Sequence, residues 1–197
     1  MQWIIAGLGN PGNEYVGTRH NVGRDFLLAL AKKETDGEWK DDKKIHGQTA
    51  KAELFGKKTL LVLPDTYMNN SGRAFVSIVG GGKQAEQLVV LQDELDLPLG
   101  TVKISFGSSA GGHRGVDSIQ KALKTKNFVR IRIGISPSTP SGKTKKPDAK
   151  GVVDFVLGKF KAAEEEKLKK VRKVVFDALE IMVNEGREAA VMHTHTK

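Results

Sequence analysis

The apolar run Trp3-Ile4-Ile5-Ala6 leads into Gly7-Leu-Gly-Asn-Pro-Gly-Asn-Glu-Tyr-Val-Gly-Thr-Arg-His-Asn-Val-Gly23, and no other stretch restricts the fold as much. The run reads as a short buried strand. The glycines behind it let the backbone turn tightly and come close to a ligand. Pro11 prevents a helix from starting at once, so polar side chains stay in an exposed loop. Val22, Phe26, Ala29 and Leu30 then recur at helical spacing. His20 is thereby placed at or near a helix N-terminus, where the dipole disfavours the imidazolium and a neutral ring can accept a proton. Two plainer readings compete. One is a surface or capping histidine. The other is a dinucleotide fingerprint, since Gly7, Gly9 and Gly12 fit G-x-G-x-x-G. That motif needs a helix starting inside the glycines, which Pro11-Gly12 prevents, and an acid closing a second strand about 20 residues on, where this sequence reads as helix.

Further strands and helices alternate along the chain. Asp36 to Lys44 reads as a loop, and Thr49–Leu54 and Thr59–Leu63 as a hairpin turning at Gly56-Lys57. Asp65 to Gly72 reads as a polar loop opening into a helix to about Val79, closed by Gly80-Gly81-Gly82. Leu88–Leu91 is a buried strand, with Asp93-Glu-Leu-Asp-Leu-Pro98 as the loop behind it. Thr101–Phe106 is a strand with Val102, Ile104 and Phe106 on one face. Gly107–Gly115 is a glycine-rich loop carrying His113, and a helix follows to about Leu123. Phe128–Ile135 alternates, with Val129, Ile131 and Ile133 opposite Arg130 and Arg132. Residues 136–150, with Pro137, Pro140, Pro147 and several lysines, are expected to be a mobile basic loop. Leu168, Val171, Val175, Ala178 and Met182 mark an amphipathic helix over 162–186, and 190–197 is expected to be a disordered tail. Strands interleaved with helices predict an α/β fold: a single domain over 1–197, with a twisted, mixed, mostly parallel β-sheet flanked by helices.

Ligands of open α/β sheets sit outside the carboxyl ends of the strands. Asn10, Asn69, Asp93 and His113 all lie in loops directly after predicted strands, and His20 closes the first of those loops. If the strands run parallel, the five converge on one crevice. Asp93 is the natural orienting partner for His20, because a carboxylate accepting the imidazole N–H fixes the tautomer and raises basicity. Its plain alternative is a turn aspartate. Asp93, Glu94 and Asp96 also suit a divalent cation, but one well-placed histidine and no calcium-loop spacing argue for no metal. Asn10 and Asn69 suit a carbonyl or developing oxyanion, or serve as turn residues. Gly107-Ser-Ser109-Ala-Gly111 fits the serine nucleophile elbow. That elbow runs straight into a helix, which Gly112 and Gly115 disfavour, and its histidine would have to be His193 or His195 in the tail. Gly142-Lys-Thr144 imitates the end of a P-loop, with Pro137 where its first glycine belongs.

The absence of cysteine excludes disulfides, thiolate catalysis and cysteine-rich zinc sites, and fits a reducing cytosol. Neither a signal-peptide pattern nor an apolar run of ~18 residues is seen, so a cytoplasmic protein without membrane contact is expected. The net charge of +9 suits a polyanionic partner. Lys103, Arg130 and Arg132 are the best candidates to meet it, on strand faces that are otherwise merely solvated. Lys143, Lys145, Lys146, Lys150 and the lysines of the last helix would add non-specific phosphate contacts.

Together these residues resemble bacterial-type peptidyl-tRNA hydrolase. The resemblance rests on Gly7-Leu-Gly-Asn-Pro-Gly12, Tyr15, Thr18-Arg-His-Asn21, Tyr67-Met-Asn69, Ser71-Gly72, Asp93-Glu-Leu-Asp-Leu-Pro98, Gly111-Gly-His113, Arg130-Ile-Arg-Ile-Gly134 and Phe155-Val-Leu-Gly158, in family order along nearly the whole chain. It implies a phosphorylase/hydrolase-like fold and a monomeric, cytoplasmic esterase without metal or cofactor. Such an enzyme cleaves the ester between peptide and tRNA 3′ ribose and recycles the tRNA. By resemblance His20 is the general base on water and Asp93 its orienting carboxylate, with no covalent intermediate. Asn10 and Asn69 bind the peptide end and the water, and Asn10 helps distinguish blocked from free aminoacyl groups. Tyr15 and Tyr67 line the cleft, with His113 on its rim. Two departures stand out. Arg114 replaces the usual Asn after Gly-Gly-His and can reach a phosphate instead. Ser105 replaces the lysine of a phosphate clamp completed by Arg132, and Lys103 on the same strand face is the candidate to compensate. The alternative from another class is a non-catalytic RNA-binding paralogue of the same fold.

Overall fold

The computed structural model describes residues 2–35 and 38–195, and its seven strands form one sheet in the order β2-β3-β4-β1-β5-β7-β6. These are β1 (Trp3–Gly7), β2 (Lys40–Asp42), β3 (Gly47–Leu54), β4 (Lys57–Pro64), β5 (Leu88–Pro98), β6 (Val102–Phe106) and β7 (Val129–Ser136). The central strands β4, β1, β5 and β7 are mutually parallel, whereas β3, β2 and β6 run antiparallel at the edges. The helices are α1 (Val22–Glu34), α2 (Gly82–Ala85), α3 (Arg114–Leu123), α4 (Val152–Leu157), α5 (Ala162–Glu185) and α6 (Arg187–His195). No described helix is long and apolar enough to cross a membrane.

Central strands of a parallel sheet are covered on both faces, so successive apolar residues are buried in opposite directions. Ile5, Val89 and Leu91 pack with α1, α5 and α6, while Ile4, Leu88 and Val90 pack with α3 and the 3-10 helix Met68–Ala74. Helix α1 lies unusually close to the sheet. A Cβ at Gly23 would stand 2.2 Å from the carbonyl oxygen of Leu91, so only glycine lets α1 rest on β5. Backbone bonds from Leu8 N to Leu91 O (3.0 Å) and Arg24 N to Leu8 O (2.9 Å) stitch loop, helix and strand together. In the β3–β4 hairpin, Phe55 and Gly56 both take positive φ (53° and 72°), the two-residue turn that matches strand twist.

Several elements depart from the sequence expectation. Part of the loop expected over 36–44 is strand β2, paired antiparallel to β3; Asp36 and Gly37 lie outside the described residues. The helix expected to run to Val79 is a 3-10 helix ending at Ala74, where Ser71 Oγ donates to Met68 O at 2.9 Å and competes with an α-helical ladder. The triple glycine does not close a helix, since α2 starts at Gly82. Asp93–Pro98 is not a loop but continues β5, paired with β7. Helix α4 is not signalled by the local sequence pattern. The tail expected to be disordered over 190–197 is helical through His195, and residues 196 and 197 lie outside the described residues. Ala190 is fully buried, and the Arg187 guanidinium lies 3.8 Å from the ring centre of Phe106.

Candidate active site

The carboxyl ends of β1, β4 and β5 open on a cavity of about 530 Å³. Asn10, His20, Tyr67, Asn69, Asp93, His113 and Arg114 all line it, as do Glu94 and Asp96 of β5, Lys146, and the Val152, Val153, Val156 and Leu157 side chains of α4. His20 belongs to the 3-10 helix Arg19–Asn21, which runs directly into α1. Helix α1 is seated on β5 at Leu91, so the histidine is held over the continuation of that strand.

Asp93 is the hub. Its carboxylate is 3% exposed and accepts from His20 Nδ1 (2.9 and 3.0 Å to its two oxygens) and from His113 Nε2 (2.9 Å). The tautomers follow from the surroundings. His113 is the N-cap of α3, and its Nδ1 accepts from the N–H groups of Gly115 (3.2 Å) and Val116 (3.3 Å). Its proton is therefore on Nε2, donated to Asp93. His20 in turn donates Nδ1–H to the same carboxylate. Its Nε2 has no partner among the described residues and is left as an acceptor at the cavity.

The charges agree with this arrangement. Burial presses the Asp93 carboxyl upward, but His20 and His113 outweigh it through charge and hydrogen bonds and hold it well below the usual carboxylate range. For His20, burial presses downward, the Asp93 carboxylate overcomes it, and Arg114 opposes the rise, leaving a pKa above 6.5. Ligand atoms of His20, Asp93 and His113 lie within 4.8 Å of one another, close enough for a shared ion. The donor set does not fit one. With Nδ1 of His113 occupied by two backbone donors, its Nε2 must keep a proton and has no lone pair to give.

Asn10 is likewise locked. Asn21 Oδ1 accepts from Asn10 N, Asn21 Nδ2 donates to Asn10 O, and Asn10 Oδ1 accepts from Met68 N at 2.8 Å. The amide orientation is fixed, which leaves Nδ2 as a donor. Asn69 and Tyr67 line the cavity and are exposed.

The match to known proteins covers almost the whole chain: the family model described as peptidyl-tRNA hydrolase matches residues 4–197. The chain belongs to the peptidyl-tRNA hydrolase family. Relatives named peptidyl-tRNA hydrolase from Prochlorococcus marinus and Nocardia farcinica are 40% and 38% identical. The matches cover 93% and 98% of this chain and 88% and 95% of theirs. A crystal structure of peptidyl-tRNA hydrolase from Acinetobacter baumannii has a TM-score of 0.86 at 32% identity, covering 98% of this chain and 93% of that one.

Not every sequence-derived candidate reaches the cavity of this peptidyl-tRNA hydrolase family member. Tyr15 does not line it; it sits in the 3-10 helix Asn13–Tyr15, where its carbonyl accepts from Thr18 Oγ1 at 2.8 Å. Ser109 is exposed, away from the cavity wall, in a loop that enters a helix only at Arg114. Arg132 does not present a free charge, since its Nε donates to Glu94 Oε2 (2.7 Å) and its Nη1 to Ser105 Oγ (3.2 Å). Arg130 is buried rather than solvated, with Nη2 donating to Ser108 Oγ. Lys103 is exposed and lies directly across the strands from Arg132. Two residues of the Thr18-Arg-His-Asn21 motif, Asn21 and Arg19, have supporting roles that the local sequence does not signal. Arg19 is buried, donates to Lys159 O and Glu164 (each 2.8 Å), and stacks on Phe155 at 4.5 Å. It ties the helix of His20 to α4 and α5, bringing the motif around residue 20 against the one around residue 157.

Proposed function

We propose that this protein hydrolyses the ester joining a peptide to the 3′ ribose of tRNA, by direct attack of water. The observation that carries the reading is the His113–Asp93–His20 chain of hydrogen bonds, which commits Nδ1 of His20 and leaves Nε2 at the cavity. Membership of the peptidyl-tRNA hydrolase family supports the substrate.

In this mechanism a water beside Nε2 loses a proton to His20 as its oxygen attacks the ester carbonyl. The Asp93 carboxylate stabilises the imidazolium that forms. The tetrahedral intermediate collapses by breaking the bond to the ribose oxygen, which takes the proton back from His20. The products are a tRNA with a free hydroxyl and a peptide with a free carboxyl group, which then gives up the water's second proton to solvent. Asn10 Nδ2, held by Met68 and Asn21, offers a preorganised donor to the acyl group, and Asn69 and Tyr67 line its entry. Positioned general-base catalysis is worth on the order of 10²–10⁴ in rate. The enzyme acts as a monomer in the cytoplasm and needs no cofactor.

The experiment is turnover of an N-blocked aminoacyl-tRNA beside its unblocked counterpart. Rapid release of tRNA from the blocked substrate is expected. Binding of tRNA without turnover would replace the enzyme by a non-catalytic RNA-binding module.

A further inference from the structure

The charged groups on the cavity wall are almost all spoken for. Asp93 holds two imidazoles, Glu94 holds Arg132, and Asp96 pairs with Lys146. Arg114 is the exception. It lines the cavity, is exposed, and makes no hydrogen bond or ion pair with any described residue. It is close enough to His20 for its charge to act on that imidazole.

The carboxylates of the wall all come from β5 and already have partners, so the unpaired charge there is that of Arg114. The apolar side chains of α4 suit an acyl chain. Arg114 opens α3 directly behind His113, the histidine that donates to Asp93. On the function proposed above, every substrate carries one anion at a constant distance from the scissile ester: the phosphodiester on the far side of the same ribose. An acidic peptide side chain is present in only some substrates. A guanidinium grips a phosphate in bidentate fashion, and an ammonium does so less well.

We propose that Arg114 binds the terminal phosphodiester of the tRNA 3′ end and so sets the register of the ester over His20. This rests on the reading of the cavity as a peptidyl-tRNA site, and binding separates the two claims. The probes are a 3′-terminal trinucleotide with an N-acetylamino acid in non-hydrolysable amide linkage, and the corresponding acylamino nucleoside without phosphate. R114Q should weaken the trinucleotide about five- to tenfold, the size of a partly solvated charge-assisted contact, and leave the nucleoside unchanged. R114K should restore part of the loss. Unchanged trinucleotide binding, or an equal loss for both probes, overturns the proposal. Turnover of N-blocked aminoacyl-tRNA by the unaltered protein is measured alongside. Its absence would remove the proposed function, while the probe comparison would still decide what Arg114 reads. A loss in kcat alone, equal on phosphate-bearing and phosphate-free ester substrates, would assign Arg114 to the oxyanion and also overturn the proposal.

Discussion

The carboxyl edge of the sheet at Asp93 and the basic strip on β6 and β7 both carry charge, and they hold it in opposite ways. Asp93 is buried and paired, its two imidazole partners are fixed by a helix cap and a close-packed helix start, and water has little access. Lys103 stands in solvent, and Arg132 beside it is already neutralised by Glu94. Electrostatic terms are large where solvent is excluded and small where it screens. The first region is built to change a reaction barrier. The second can change only how often and how firmly a polyanion arrives.

The sharpest way to break this contrast is Asp93→Asn. An amide at that position can donate to His20 Nδ1, moving the ring proton to Nε2, so the nitrogen facing the cavity no longer accepts. Turnover should fall by roughly 10⁴, as when a catalytic aspartate is replaced in a serine-protease triad, with tRNA binding retained. His20→Ala should cost on the order of 10²–10⁴. Its measurement is single-turnover hydrolysis at saturating enzyme, with circular dichroism to show an intact fold. The pH profile sharpens the same point. Only neutral His20 accepts a proton, and its pKa is raised, so kcat/KM should climb with pH through a midpoint above 6.5 and then level off. Asp93→Asn removes the group that raises it, and residual activity should then titrate at lower pH. His113→Asn retains a capping side chain but loses the bond to Asp93, and a fall of about tenfold is expected from one charge-assisted hydrogen bond. Unchanged rates would make the second histidine a helix cap only.

Between these and the surface effects lies the packing that aims the site. Gly23→Ala would put a methyl group 2.2 Å from the Leu91 carbonyl oxygen, forcing α1 off β5. A loss of about 1–3 kcal/mol in urea unfolding is expected for such overpacking, together with reduced turnover because His20 moves with the helix. Loss of stability with full activity would show that the Asp93 bond, and not α1, fixes the imidazole.

What was legible in the sequence had local causes. The first strand, the glycine loop, the hairpin and α5 all follow from periodicity and turn chemistry, and the last was read within a residue of its observed span, Ala162–Glu185. Where a side chain is satisfied from far away, the local pattern misleads. Asp93-Glu94-Leu95-Asp96 has the polarity of a turn, yet remains in β5 because His20, His113 and Arg132 arrive from other elements to hold its acids. Arg130 alternates like a solvated residue but is buried by the loop carrying Ser108. Arg19 resembles any surface arginine until Phe155 and Glu164, more than a hundred residues on, enclose it. Tyr15 is near His20 in sequence, yet it sits in the 3-10 helix Asn13–Tyr15 and is not among the side chains lining the cavity.

The smallest expected effect tests the other side of the contrast. Lys103→Ala removes an exposed charge, so fold stability should stay within ±0.5 kcal/mol. If Lys103 meets a tRNA phosphate, the slope of log affinity against log salt should become shallower by about one, with kcat unchanged once tRNA saturates the enzyme. Arg132→Ala in the same assay behaves differently, because it strands Glu94, which is buried and also lines the cavity. That variant should lose stability by about 1–3 kcal/mol as well as affinity. Equal salt slopes for Lys103→Ala and the unaltered protein would leave Lys103 a solubilising charge, and the polyanion would then have to be met by Arg114 and the lysines of 143–150. A fall in kcat for Lys103→Ala at saturation would be the more damaging result, since it would mean that a screened surface charge reaches the reaction barrier and that the two regions are not separate in kind.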